Sequence, residues 1–506
     1  MPSESTRLLN RPNAVPPNDH HLSISTVSML AIGGTIGTGL FFSVATLIAR
    51  GPLMAIASMC YIAFIVVIVL EVTAELAVFF PEASLICKFQ FVFLGRPIGL
   101  ANSVIYWLSW GFTYALELSI AVSIFSFWCP ELTENYQSLS IFAFWLILTT
   151  FNIFPVDVYG QIEFWISLVK VVAIIGWIAV IAISLVSKDE FFYVWLQDWP
   201  ESFVGPSGSW TKHVVAFVNC LIFLSFIFQS VESIAITTGD ITEPHKTIPK
   251  VTKIIFLRIV VFYLVSVLLL TLLVPFSDPE LTNPQVDDLL SSPFLIAMIN
   301  CGFESSGVLL LCFNFVILSA IISAANSNVY FGSRFLVAMI QTHGADTRWS
   351  VLSYKNAQNV PIYAVLLTSS LGLVPLLLRF HSISMLFTVL LTCCALAGML
   401  MWLLLCVSHI RFSQALKAQG RTRRSLRYCS KWKLEYWAWF ALANLVLILL
   451  LNGFTNYWNF SWVAVLGSYM TPLAFFGLWL WFGGYRDFSL KPLTDIDLDG
   501  GNFRYR

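Results

Sequence analysis

Ile32-Gly33-Gly34-Thr35-Ile36-Gly37-Thr38-Gly39-Leu40-Phe41 is the stretch on which the reading of the fold turns. It lies inside an apolar segment from about Val27 to Ile48, long enough to cross a bilayer. Four glycines fall within seven positions, and each weakens a helix by roughly 1 kcal/mol against alanine. Two readings are open. Gly33 and Gly37 form a GxxxG pair suited to close packing against another helix. Alternatively, the helix breaks at mid-membrane, and its freed amides and carbonyls face a cavity. Irregular backbone is tolerated at that depth only where protein or water satisfies it, and such breaks bind small ligands in secondary transporters.

The rest of the chain is of membrane composition. Of its 506 residues, 58% are hydrophobic and 11% charged, where soluble domains carry nearer a quarter charged residues. Mean hydropathy is +0.80. Soluble-enzyme and nucleic-acid-binding classes do not fit, and a net charge of zero implies no polyanionic partner. Ten scattered cysteines without a CxxC read as small packing residues, so neither a metal nor a cofactor is expected. No nucleophile–base pair or phosphate loop points to an enzyme.

Apolar runs predict an all-α polytopic membrane protein with 12 transmembrane helices. The runs fall near 27–48, 53–80, 98–128, 139–154, 162–187, 213–238, 253–276, 306–340, 361–379, 382–409, 434–453 and 460–482. Residues 1–26 form a polar, proline-dotted tail and 485–506 a second tail, flanking a membrane domain over 27–484. With the amino terminus in the cytoplasm, that side collects 23 of the 28 Lys and Arg, and the opposite side only Arg50, Lys188, Lys212 and Arg379. The positive-inside rule therefore puts both termini in the cytoplasm. The outer segment Ser277–Glu304 holds five acidic residues and no Lys or Arg.

Ionisable residues at membrane depth mark function by default. Glu117 is the one charge between Ile98 and Trp128, which makes it a candidate proton carrier. Lys170, two turns into the fifth run, either stands where a coupling cation would sit or snorkels to the cytoplasmic face. The sixth run ends in a polar knot, Gln229-Ser230-Val231-Glu232-Ser233, where a second break would meet the first, although no glycine lies within it. On the eighth run Ser319, Ser323, Asn326, Ser327, Tyr330 and Arg334 share one helical face. That stripe is either interhelical bonding or the wall of an aqueous path, and its six members favour the wall. Thr388, Thr392 and Cys394 suggest a shorter stripe on the tenth.

The chain resembles the fungal amino-acid permease family, the yeast amino acid transporter group of the amino acid–polyamine–organocation superfamily. The resemblance is carried by Gly33–Phe41, Ala115-Leu116-Glu117-Leu118, Asn152–Val156 and Glu163-Phe164-Trp165. It continues through Ile248-Pro249-Lys250, Ser323–Ser327, Ser408–Phe412 and Ala415–Arg421. It implies a five-plus-five inverted repeat with broken first and sixth helices, the repeats being about 27–187 and 213–409 with peripheral spans over 434–482. It also implies proton-coupled amino acid uptake. Gly33, Gly34, Thr35, Gly37, Thr38 and Gly39 would meet the substrate carboxylate, and backbone around Phe228, Gln229, Ser230 and Glu232 its amino group. Glu117 and Lys170 would serve proton coupling, and Ser109 and Cys394 would help select the side chain. Where the family reads Gly-Thr-Glu, this chain has Ser230-Val231-Glu232.

Two functions follow: a proton-coupled amino acid symporter working by alternating access, or a permease-like receptor that binds without transporting. The short leading tail favours transport. An acidic outer segment, Ser109, and the intramembrane carboxylates Glu71 and Glu117 favour a cationic substrate; Phe226, Phe228 and Val231 would suit a neutral one. The lipid bilayer and protons are the other expected partners. Plasma-membrane residence is expected. Glu4, Leu8 and Leu9 form an acidic dileucine pattern that a sorting adaptor could read, which would instead favour the vacuole.

Overall fold

A computed structural model describes residues 37–80, 85–187, 210–236, 243–276, 278, 281, 292–304, 307–343, 349–377, 383–454, 462–483, 485 and 490–498. No strand occurs among them; the chain is a bundle of helices. In chain order these are α1 (Gly39–Ile48), α2 (Pro52–Phe79), α3 (Leu85–Leu94), α4 (Arg96–Phe125), α5 (Pro130–Phe151), α6 (Val156–Ser187) and α7 (Trp210–Ile227). There follow α8 (Pro244–Leu273), α9 (Pro293–Asn300), α10 (Val308–His343), α11 (Ile362–Leu376), α12 (Ile383–Ala418), α13 (Leu434–Leu451) and α14 (Trp462–Trp481).

Eight of the described helices are long and apolar enough to cross a membrane, and α1, α5, α11 and α14 supply four shorter apolar stretches. These fall one for one on the twelve apolar runs. Two helices lie between runs and were not expected: α3, joining the second and third, and α9, ahead of the eighth. The tenth run continues without a break to Ala418, so Ser408–Phe412 belongs to a 36-residue helix.

Helix starts are set by local chemistry. Pro52, Pro97, Pro130, Pro244 and Pro293 each sit in a first turn, where the missing N–H has no partner to lose. Gly51 and Gly95, just ahead of two of them, have φ of 105° and 94°, a region closed to residues with a side chain. α2 is apolar along most of its length and packs against α7, α8, α12 and α13. By contrast α5, α6, α13 and α14 leave large side chains such as Ile147, Trp165, Ile183, Trp439 and Leu473 exposed, as a lipid-facing surface requires.

Several helices pack on the helix five runs further along the chain. α1 packs on the end of α7, α2 on α8, α4 along α10, and α5 on α11. These are the first–sixth, second–seventh, third–eighth and fourth–ninth runs. Both α1 and α8 also contain π-helical turns, at Gly39–Ser43 and Ile259–Val265, a local irregularity that recurs at functional sites.

Candidate functional site

The sixth run breaks. α7 stops at Ile227, a turn covers Phe228–Ser230, and a single 3-10 turn runs from Val231 to Ala235. Ser230 lies in the left-handed region at φ 78°, which costs a non-glycine residue roughly 1–2 kcal/mol. The expected break is therefore present, although a serine stands where the family's glycine would adopt this backbone freely. Side chains on two other helices hold the turn. The Tyr106 hydroxyl of α4 donates to Glu232 Oε1, and the Trp402 indole N–H of α12 donates to Oε2 at 2.9 Å. Gln229 Nε2 donates to Ser109 Oγ at 3.3 Å, and Cys394 Sγ donates to the Ser109 carbonyl at 3.6 Å. Gln229, Ser230, Glu232, Ser109 and Cys394 are thus one buried group, joining α7, α4 and α12.

The described part of the first run faces the same region. A Cβ on Gly37 would lie 2.6 Å from Ala324 Cβ of α10 and 3.4 Å from Glu117 Oε1. One on Gly39 would lie 3.0 Å from Ile227 Cα. Both glycines are thus places of close approach, by α10 at Gly37 and by α7 at Gly39. Among the described residues, Thr38 is buried and its hydroxyl has no hydrogen-bond partner. Gly33, Gly34 and Thr35 lie outside the described residues, as do Glu4, Leu8 and Leu9.

A second polar group lies between α4, α6 and α10. Asn328 Nδ2 donates to Glu117 Oε2 at 2.6 Å. Lys170 is fully buried, and its Nζ donates to Ser323 Oγ at 2.8 Å. The snorkelling alternative is therefore removed. Ser323 in turn donates to Glu163 Oε1, and Lys170 Nζ lies 3.9 Å from the same oxygen. Sequence reasoning passed over Glu163, although its seven-residue spacing to Lys170 puts both on one face of a helix. Tyr106, Trp402 and Asn328 gave no comparable signal, since an aromatic or amide within an apolar run does not reveal its partner.

Several expectations are corrected. The eighth-run stripe is interhelical bonding and not a wall: Ser323 serves Lys170 and Glu163, Asn326 bonds Asn152, and Ser327 bonds Tyr159 at 3.1 Å. Tyr330 stacks on Tyr159 at 4.3 Å with Arg334 over its other side. The tenth-run stripe does not form, because Thr388 is exposed while Cys394 is buried. Phe228 turns its ring towards Tyr263 of α8 at 5.1 Å, so only its backbone belongs to the break. Glu71 accepts a hydrogen bond from Tyr428 of the α12–α13 connection. It therefore sits at the basic end of the bundle and cannot neutralise a substrate at the break. Most of the acidic outer segment lies outside the described residues.

Comparison with known proteins agrees with this architecture. The amino acid permease family model matches residues 26–491. A probable lysine/arginine permease of Candida albicans is 35% identical over 94% of this chain and 84% of its own. A lysine-specific permease of Saccharomyces cerevisiae is 33% identical over 94% of this chain and 77% of its own. A histidine permease of Lactococcus lactis is 30% identical over 93% of this chain and 96% of its own. With a membrane bundle broken in its sixth run and a family match over nearly its whole length, the chain belongs to the amino acid permease family.

Proposed function

We propose that this protein carries cationic amino acids across a membrane by alternating access, driven by protons. The observation that carries the reading is the break at Phe228–Ser230, beside a buried carboxylate, Glu232, whose two oxygens take the neutral donors Tyr106 and Trp402. Carbonyls freed at the break and the Glu232 carboxylate suit a substrate ammonium. The Gly33–Gly39 stretch suits its carboxylate, as broken half-helices do in transporters. Ser109, Gln229 and Cys394 form the wall for the side chain. Relatives named for lysine, arginine and histidine support the cationic class, since moving a cation into a membrane requires a compensating negative group. Being named permeases, they lend no support to the receptor reading.

Glu117 and Lys170 are the proposed coupling groups, on α4 and α6 beside Gly37 and Ser323. The twelve runs are read as spans in two repeats, about 27–187 and 213–409, followed by two peripheral spans. Both termini are assigned to the cytoplasm from the charge pattern and the protein to the plasma membrane. Adaptor binding at Glu4, Leu8 and Leu9 would redirect it to the vacuole.

Uptake of labelled arginine into proteoliposomes, with and without an inward proton gradient, tests this. Concentrative uptake that needs the gradient and is inhibited by excess lysine is expected. If excess arginine and lysine leave untouched an uptake that leucine inhibits, the cationic reading fails.

A further inference from the structure

The pair Glu163–Lys170 is unusual because a hydroxyl stands between its charges. Ser323 Oγ accepts from Lys170 Nζ at 2.8 Å and donates to Glu163 Oε1, while Ser167 Oγ adds a longer contact to that oxygen at 3.5 Å. Glu163, Ser167, Lys170 and Ser323 are all buried at 1% exposure or less. A lone ammonium or a lone carboxylate in such a place is very costly, whereas a pair of zero net charge is tolerated. Lys170 can therefore lose its proton cheaply only if a neighbouring anion gains one at the same time.

We propose that Glu163 is the proton acceptor for Lys170, with Ser323 as the bridge. This rests on the proton-coupled reading above and deepens it. In the step, an N–H bond of the Lys170 ammonium breaks as its proton passes to Ser323 Oγ. The hydroxyl's own proton leaves Ser323 and forms an O–H bond on Glu163. Lysine ends as an amine, serine is unchanged, and glutamate ends as a carboxylic acid. No net charge appears or disappears in the core, and no electron is transferred. Both arrangements are neutral, so the bundle can change shape around either.

The surroundings give the proton a direction. Glu163 lies two turns nearer than Lys170 to the start of α6, the end assigned to the cytoplasm. One turn further on is Tyr159, bonded to Ser327 and stacked on Tyr330, with Arg334 beyond it on α10. Among the described residues, the charged and titratable groups acting on the pair are Glu117 from α4 and Tyr159 from α6, with Tyr330 and Arg334 of α10 acting on Tyr159. Glu117 lies on the side of Gly37 and is the natural source of the proton, and Glu163 the natural exit.

Two measurements test the inference. Proton entry is followed with a pH-sensitive dye inside vesicles as arginine enters. Wild-type protein should move protons with substrate, Glu163→Gln should lose proton movement per arginine carried, and Glu163→Asp should recover part of it. If wild type moves no protons with substrate, proton coupling itself fails and the inference falls with it. If wild type and Glu163→Gln couple equally, the inference alone is overturned. Should Glu163→Gln fail to fold, infrared difference spectra of wild type after an acid jump decide the matter. A protonated-carboxyl band that Glu163→Asp shifts is expected; a band that Glu163→Asp leaves in place, or no band, overturns the proposal.

Discussion

Two buried carboxylates show how differently one fold uses the same chemistry. At mid-bundle, Glu163 meets Lys170 across a hydroxyl. At the end assigned to the cytoplasm, Glu75 of α2 takes Arg423 directly, from Nε at 2.8 Å and from Nη2 at 2.5 Å. The Ser430 backbone N–H adds a third donor at 3.2 Å, and His409 Nε2 of α12 lies 3.4 Å away. A guanidinium never loses its charge in a protein, and its planar fork fits a carboxylate with two parallel bonds. Lysine is a point charge that changes protonation readily when buried. The Glu75 cluster is accordingly a clasp tying α2, α12 and the α12–α13 connection, and the Glu163 cluster is a switch.

Breaking the clasp should have the largest effect. Arg423→Ala leaves Glu75 buried without its principal partner, which costs about 3–5 kcal/mol in comparable pairs. A clear fall in melting temperature in detergent, with poor delivery to the membrane, is expected; an unchanged melting temperature would mean that the two ends are not so different. Gly37→Val acts beside the switch. The added Cβ meets Ala324 at 2.6 Å, and overpacking of this kind costs about 1–3 kcal/mol. Uptake should be abolished while folded protein still reaches the membrane, and normal uptake would show that α1 can yield here.

Exchanging the two cations sharpens the contrast. Lys170→Arg gives the mid-bundle pair a permanent charge, so uptake should lose its dependence on the proton gradient while binding of arginine, read by calorimetry, persists. Gradient-driven uptake in that variant would show that Lys170 need not change charge. Conversely, Arg423→Lys keeps the clasp's charge but loses its fork, and should cost about 1 kcal/mol, seen as a small drop in melting temperature. The smallest effect belongs to Ser230→Gly. Relief of its left-handed backbone, at φ 78°, is offset by the greater freedom of an unfolded glycine, for a net gain of about 0.5–1 kcal/mol. A loss of stability there would mean that the Ser230 side chain, and not its backbone, holds the turn.

The amino-acid order alone determined the helical membrane class, the positions of the twelve apolar runs and the family. These properties are local: a run of apolar residues, or Gly33–Phe41 and Ser408–Arg421, carries its meaning without reference to distant parts of the chain. The buried polar residues Glu117, Lys170 and Glu232 were also legible one by one, because a charge within an apolar run stands out. Their partners were not. Ser323 meets Glu163 across 160 positions, Trp402 meets Glu232 across 170, and Tyr428 draws Glu71 to the basic end across 357. Only the packing of helices remote in sequence decides which donor reaches which carboxylate. The break in the sixth run was expected from its polar knot and the family resemblance, but its left-handed residue, Ser230, was not: nothing local favours a left-handed serine, and Tyr106 and Trp402, from α4 and α12, hold the turn that contains it.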